Sequence, residues 1–116
     1  IKHSPLPHEL AIDKESSDIL SKIPPKAAVW LLDESGIQLN NAQLAVKLSE
    51  TSARQENQLY IIIGGAYGVN EVVKNRADFI WSLSKLVYPH QVVRLLLIEQ
   101  IYRSTEILKG SSYHHI

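Results

Sequence analysis

Hydrophobic and polar positions fall in blocks along the chain, and the blocks switch between helical and strand character. Ile19, Leu20 and Ile23 sit among polar neighbours at helical spacing, which predicts a helix over 13–23 with Asp13 or Ser16 as its N-cap. Pro24-Pro25 stops it. Ala27-Ala28-Val29-Trp30-Leu31-Leu32 is a continuous apolar run closed by Asp33-Glu34-Ser35-Gly36, the pattern of a strand covered on both faces and ended by a turn. Asn40 or Asn41 is placed to cap a second helix with Ala42, Leu44, Ala45 and Leu48 as its apolar stripe. Leu59-Tyr60-Ile61-Ile62-Ile63 reads as a second buried strand, broken at once by Gly64-Gly65.

The spacing of Val72, Val73 and Ala77 predicts a helix over 70–78, and Phe79-Ile80-Trp81-Ser82-Leu83-Ser84 is a third strand-like stretch. Pro89-His90 opens a long helix reaching Lys109, with Gly110 placed to end it. Its Val92, Val93, Leu95, Leu96, Ile98, Ile101, Thr105 and Leu108 cover more than one face, so it is expected to pack on both the sheet and a partner. Helices alternating with buried strands define an α/β fold with a mostly parallel sheet flanked by helices.

Composition narrows the picture. With 116 residues, 45% of them hydrophobic, the chain can bury one core, and residues 1–116 are read as a single domain. The absence of cysteine excludes a disulfide framework, a thiolate metal site and a cysteine nucleophile. The run Leu95-Leu96-Leu97-Ile98, bounded by Arg94 and Glu99, is far short of the roughly 20 apolar residues a spanning helix needs, and no secretory signal opens the chain. A cytoplasmic protein is therefore expected. The chain starts abruptly at Ile1 rather than Met, which is read as truncation of a longer N-terminus. The 12 basic and 12 acidic residues cancel, yet residues 1–58 hold six Lys/Arg against eight Asp/Glu, whereas 81–116 hold four against two. That basic bias is compatible with a nucleic-acid surface and equally with an ordinary solvated one.

The sharpest local signal for chemistry is Ile63-Gly64-Gly65-Ala66-Tyr67-Gly68, glycines directly after a buried strand, where open α/β sheets bind ligands. It has neither the Gly-Lys-Ser/Thr of a Walker loop nor the G-x-G-x-x-G of a dinucleotide fold. A tight strand-to-helix turn would use glycines in the same way. His90 and Arg94 share a face near the start of the long helix, where an imidazole can accept a proton and a guanidinium can hold a phosphate. A capped helix start and a surface ion pair would equally explain them. Tyr113-His114-His115 closes the chain. Two adjacent histidines lack the third ligand a metal site needs, so no metal is expected. Asp33 and Glu34 read as solvated turn residues rather than paired acids. No Ser-His-Asp order with a nucleophile elbow is present.

Taken in order and spacing, Ile63-Gly64-Gly65-Ala66-Tyr67-Gly68, Trp81-Ser82-Leu83-Ser84, Pro89-His90-Gln91-Val92-Val93-Arg94, Glu99-Gln100-Ile101-Tyr102-Arg103 and Tyr113-His114-His115 make the chain, over about residues 27–116, resemble the RlmH family of SPOUT methyltransferases. The family's opening strand and basic loop have no counterpart in this sequence. The resemblance implies a SPOUT-type domain with a C-terminal trefoil knot, working as a homodimer on 23S rRNA within the ribosome. It implies transfer of a methyl group from S-adenosylmethionine to N3 of a pseudouridine in helix 69.

Carried over by position, the cofactor would meet Leu32, Gly64 and the run Leu83, Ser84, Lys85, Leu86, Val87 and Tyr88. Leu32, Leu83 and Leu86 suit an apolar slot for an adenosine, and Gly64 would let it lie against the backbone. His90 or His114 is a candidate base for the N3 proton, with His115 beside it, and Arg94 or Arg103 a candidate for stabilising charge or anchoring phosphate. Tyr113 is placed to stack on an extruded base. Two other readings stay open: a cofactor-binding module of the same fold without catalysis, and a small nucleotide- or phosphate-binding protein that uses the glycine loop.

Overall fold

A computed structural model of the chain describes residues 7–52, 58–64 and 68–110. The elements are α1 (Pro7–Ser21), β1 (Ala28–Ile37), α2 (Asn41–Ser52), β2 (Leu59–Ile63), α3 (Glu71–Arg76), β3 (Phe79–Trp81) and α4 (His90–Leu108). The strands form one parallel three-stranded sheet in the order β2-β1-β3. Among the described residues no helix is long and apolar enough to cross a membrane.

The central position of β1 follows from its composition. Successive side chains of a strand point to opposite faces, so an unbroken apolar run needs cover on both. Val29 and Leu31 point to one face, where they join Ile62 and Val73 and pack against Ile19, Leu20 and Ile23 at the end of α1. Trp30 and Leu32 point to the other, with Leu44, Trp81 and, from α4, Val93, Leu97 and Ile101. The helices α1 and α3 thus cover one face, α2 and α4 the other. Trp30 lies edge-on to both Phe79 and Trp81, with ring centroids 5.5 and 5.8 Å apart, and locks β3 to β1 on the α2/α4 face.

Polar groups fix the ends of these elements. Asn40 and Gln43 exchange hydrogen bonds through side chain and backbone at 2.8 Å each, a reciprocal cap that starts α2. Asn70 caps α3, its Oδ1 accepting from the Val73 N–H. Arg76 donates from Nη2 to the carbonyls of Pro24, Pro25 and Ala27, while the Asp78 carboxylate accepts from the Val29 N–H at 2.8 Å. The turn out of α1 is therefore tied to the start of β3.

Three boundaries differ from the sequence pattern. Helix α1 begins at Pro7, six residues before Asp13, and Ser16 is no cap: it is buried mid-helix and its hydroxyl accepts from the Asn70 N–H at 3.2 Å. Asp33-Glu34-Ser35-Gly36 does not end β1. The strand bulges there, so that Trp81 is paired with both Leu32 and Ile37. β3 stops at Trp81, and 82–84 lie outside the sheet.

Gly36 makes the bulge possible: a Cβ there would lie 2.6 Å from the backbone C and O of Ile80 and 2.8 Å from the N of Trp81. Backbone cannot move aside as a flexible side chain would. Gly36→Ala is expected to destabilise the protein by about 2–3 kcal/mol, as overpacking does, read from the shift of the urea unfolding midpoint.

Candidate functional site

At the C-terminal ends of the strands the sheet opens into a cavity of about 420 Å³. Its floor is Leu31 and Leu32 of β1 and Ile63 of β2. Its walls are Gly64, Gly68 and Val69 on one side, and the segment between β3 and α4, with His90 and Val93, on the other. Asp33 and Glu34 stand at its rim, on the bulge of β1. The volume falls in the range of small-molecule sites, and the mainly apolar lining with a few polar groups is the usual composition of one.

The segment after β3 is shaped by two serines. The Ser82 N–H donates to the Ile37 carbonyl at 2.9 Å, and its buried hydroxyl donates to the Ser84 carbonyl at 3.0 Å. The Ser84 hydroxyl in turn accepts from the Leu86 N–H at 2.9 Å. These bonds curl the chain so that Leu86, Val87 and Tyr88 project around the cavity, with Leu86 68% exposed. The other wall depends on Gly68, whose φ of 89° is rarely open to a residue with a side chain. Gly64, which lines the cavity, is also packed closely on its other side. Its missing side chain faces the returning loop rather than open space, a Cβ there lying 3.2 Å from Val69 Cγ1 and 3.3 Å from the Gly68 carbonyl carbon.

Of the residues selected for a cofactor, Leu32, Gly64, Leu83, Ser84, Leu86, Val87 and Tyr88 all line this one cavity, and Lys85 does not. Lys85 is exposed to solvent. His90 lines the cavity from the first turn of α4, whereas Arg94, one turn further, is exposed and outside the lining. Arg103 pairs with Glu99 at 3.2 Å. Tyr113, His114 and His115, like Gly65, Ala66 and Tyr67, lie outside the described residues. No group of three or more His, Asp and Glu capable of holding a metal occurs among the described residues.

Sequence reasoning missed Asp33, Glu34, Leu31, Ile63, Val69 and Val93 as lining. The acids were set aside as turn residues. The signal available for them was their place directly after a buried strand, where a parallel sheet opens. The apolar four belong equally to the core pattern, and nothing in composition separates a lining leucine from a packed one.

The outer face of α4 is apolar and uncovered. Leu95 is 69% and Ile98 65% exposed, with Val92 and Tyr102 also exposed, while Val93, Leu97 and Ile101 face the sheet. On this outer face a hydrogen bond with Glu106, and then that residue's charge, raise the Tyr102 phenol above its ordinary value, so it keeps its proton through neutral pH.

Topology defines a parallel α/β domain with a cavity at the strand ends, and the comparisons with known proteins place the chain in a class. The family described as "Predicted SPOUT methyltransferase" matches residues 2–114. The proteins called ribosomal RNA large subunit methyltransferase H are similar to this chain in three bacteria. The one from Carboxydothermus hydrogenoformans is 41% identical over 111 residues, 96% of this chain and 70% of that protein. Those from Finegoldia magna and Desulfitobacterium hafniense are each 39% identical, over 91% and 88% of this chain and 67% and 64% of theirs. The chain belongs to the SPOUT methyltransferases and, within them, to the RlmH family. It spans about two thirds of the length of these relatives.

If the Ser82 hydroxyl shapes the loop, Ser82→Ala will cost on the order of 1 kcal/mol of stability, the usual worth of one hydrogen bond. Faster amide hydrogen exchange confined to residues 84–88 is the expected accompanying signature.

Proposed function

We propose that the chain binds S-adenosylmethionine in the cavity between β1, β2 and the 82–88 segment and transfers its methyl group to large-subunit ribosomal RNA. The observation that carries this reading is the cavity itself. It lies at the strand ends of a methyltransferase-family domain, and the positions selected from the sequence for a cofactor gather around it, Lys85 excepted. The residues fit such a ligand. Leu32, Leu83, Leu86 and Val87 offer apolar surface to an adenine, and backbone groups of 83–88 other than the Ser84 carbonyl and the Leu86 N–H, which bond within the loop, would offer donors and acceptors to its edge.

When bound, the cofactor supplies an electrophilic methyl carbon on a positively charged sulfur. The protein's own residues then have three tasks. The loop would hold the cofactor against the apolar side chains of Leu83, Leu86 and Val87. His90, at the rim, is placed to take the proton that a ring N3 must lose as it acquires the methyl. Arg94, exposed on the same helix, is placed to meet the RNA backbone or the charge developing on the ring. The finer reading is N3 of a pseudouridine in helix 69 of 23S rRNA on the assembled ribosome, with the cofactor loop forming part of a trefoil knot.

A homodimer belongs to the same proposal. It is supported by the uncovered Leu95, Ile98 and Tyr102 face of α4, since two copies of one apolar helix face can cover each other about a two-fold axis. Such pairing would bring a second chain's residues near the cavity mouth. Cytoplasmic location follows from a ribosomal substrate.

Calorimetric titration of S-adenosylhomocysteine is the first test. The wild type is expected to bind, and Leu86→Ala to bind roughly tenfold more weakly, because an exposed leucine would be buried by the ligand. Methyl transfer from S-adenosylmethionine to ribosomes lacking the modification is expected to follow. A folded protein that binds no cofactor would sink the reading, and binding without transfer to ribosomes would leave a cofactor-binding module. Ile98→Glu, at a position 65% exposed, is expected to leave a folded monomer where the wild type sediments as a dimer.

A further inference from the structure

The cavity's charge is one-sided. Among the described residues that line it, the carboxylates are Asp33 and Glu34, no Lys or Arg takes part, and His90 is the remaining nitrogen base. Asp33 is the better placed of the two acids. It is half-buried, whereas Glu34 is exposed, and the β1 bulge fixes its backbone between Leu32 and Ile37, both paired with Trp81. Its side chain is held as well: Oδ2 accepts from the Ser35 N–H at 3.0 Å and from the Ser35 hydroxyl. The carboxylate is oriented at the cavity rim but still meets water, so its attraction for a cation in the cavity is that of a solvated charge pair.

We propose that Asp33 reads charge on the ligand, so that the cavity holds S-adenosylmethionine in preference to S-adenosylhomocysteine. This rests on the cofactor assignment made above. The two molecules share adenosine and amino-acid ends and differ in the methyl group and in one positive charge, which resides on the sulfonium.

In transfer, the bond between sulfur and the methyl carbon breaks and its electron pair stays on sulfur. A new bond forms from the acceptor nitrogen to that carbon, and the nitrogen's proton passes to a base. The sulfur becomes neutral, and the attraction to Asp33 disappears with its charge. Asp33 thus strengthens binding of the reactant and loosens the product, a specificity device that hydrogen bonds to the shared adenosine and amino-acid ends cannot supply.

Asp33→Asn tests this, since the amide oxygen can still accept from Ser35 while the charge is removed. The readout is the ratio of dissociation constants for S-adenosylhomocysteine and S-adenosylmethionine, measured by calorimetry on the full chain. Sinefungin, which carries an ammonium group in place of the sulfonium methyl, serves as a second cation. The wild type is expected to prefer both cations over S-adenosylhomocysteine. Asp33→Asn is expected to reduce that preference about fivefold, the effect of one charge pair at close range in a solvated setting. Its affinity for S-adenosylhomocysteine should change less than twofold. Glu34→Gln, at the exposed neighbour, is expected to move the ratio less.

An unchanged ratio in Asp33→Asn would overturn the proposal while leaving the cofactor assignment intact. Equal weakening toward all three ligands would also overturn it, showing that Asp33 only shapes the rim. No binding of any of the three by the wild type would instead remove the cofactor assignment and the inference with it.

Discussion

The constraint on which the rest of the structure depends is the two-sided burial of β1. Val29, Trp30 and Leu31 are each at most 1% exposed, and a strand in that state needs a neighbour on each edge and a helical layer on each face. β2 and β3 supply the edges in parallel register, and parallel connections require crossovers, which α2 and α3 provide on opposite faces. The cavity follows from the same constraint. Helices covering a parallel sheet leave its C-terminal edge open, and here the chain departs from that edge at Leu32, Ile63 and Trp81 into the segments that wall the site.

Two of those segments are held by bonds to distant parts of the chain. The glycine-loop side is anchored where Asn70 receives α1's Ser16 and Asp13, donating its backbone N–H to the first and its side-chain amide to the second. The loop after β3 is anchored where Ser82 donates to the Ile37 carbonyl beyond the bulge. The bulge therefore serves two ends. It projects Asp33 and Glu34 onto the rim, and it returns Ile37 to pair with Trp81 and fix the start of the opposite wall. Gly36 is the residue that permits both, because its backbone touches that of Ile80.

How much of this could be read from the sequence depends on the range of the interactions. Leu59–Ile63 was legible to the residue, and α4 within one position at its end, because each is set by a local apolar pattern and a local stop. The continuation of β1 through Asp33-Glu34-Ser35-Gly36 was not, since those residues have turn composition and only the backbone of Ile80–Ser82 makes a strand of them. Ser16 looked like a cap because its type favours caps; its partner, Asn70, lies 54 positions away. Leu83–Tyr88 has no strong pattern of its own, and it was selected through likeness to a family. The shape that gathers all of it but Lys85 around a cavity comes from hydroxyl bonds no periodicity encodes.

The electrostatics set a condition on how RNA can be engaged. The chain carries no net charge, and its cavity rim is acidic on the β1 side, so a phosphate backbone gains nothing by approaching there. His90 lines the cavity from the first turn of α4, and the exposed Arg94 follows one turn on, next to the uncovered Leu95 and Ile98. On the function proposed above, RNA phosphates would be favoured near Arg94 and disfavoured near the two acids. In that function the acids at the β1 rim and Arg94, outside the cavity on α4, would give a cationic cofactor and an anionic RNA separate places on one small and uncharged chain.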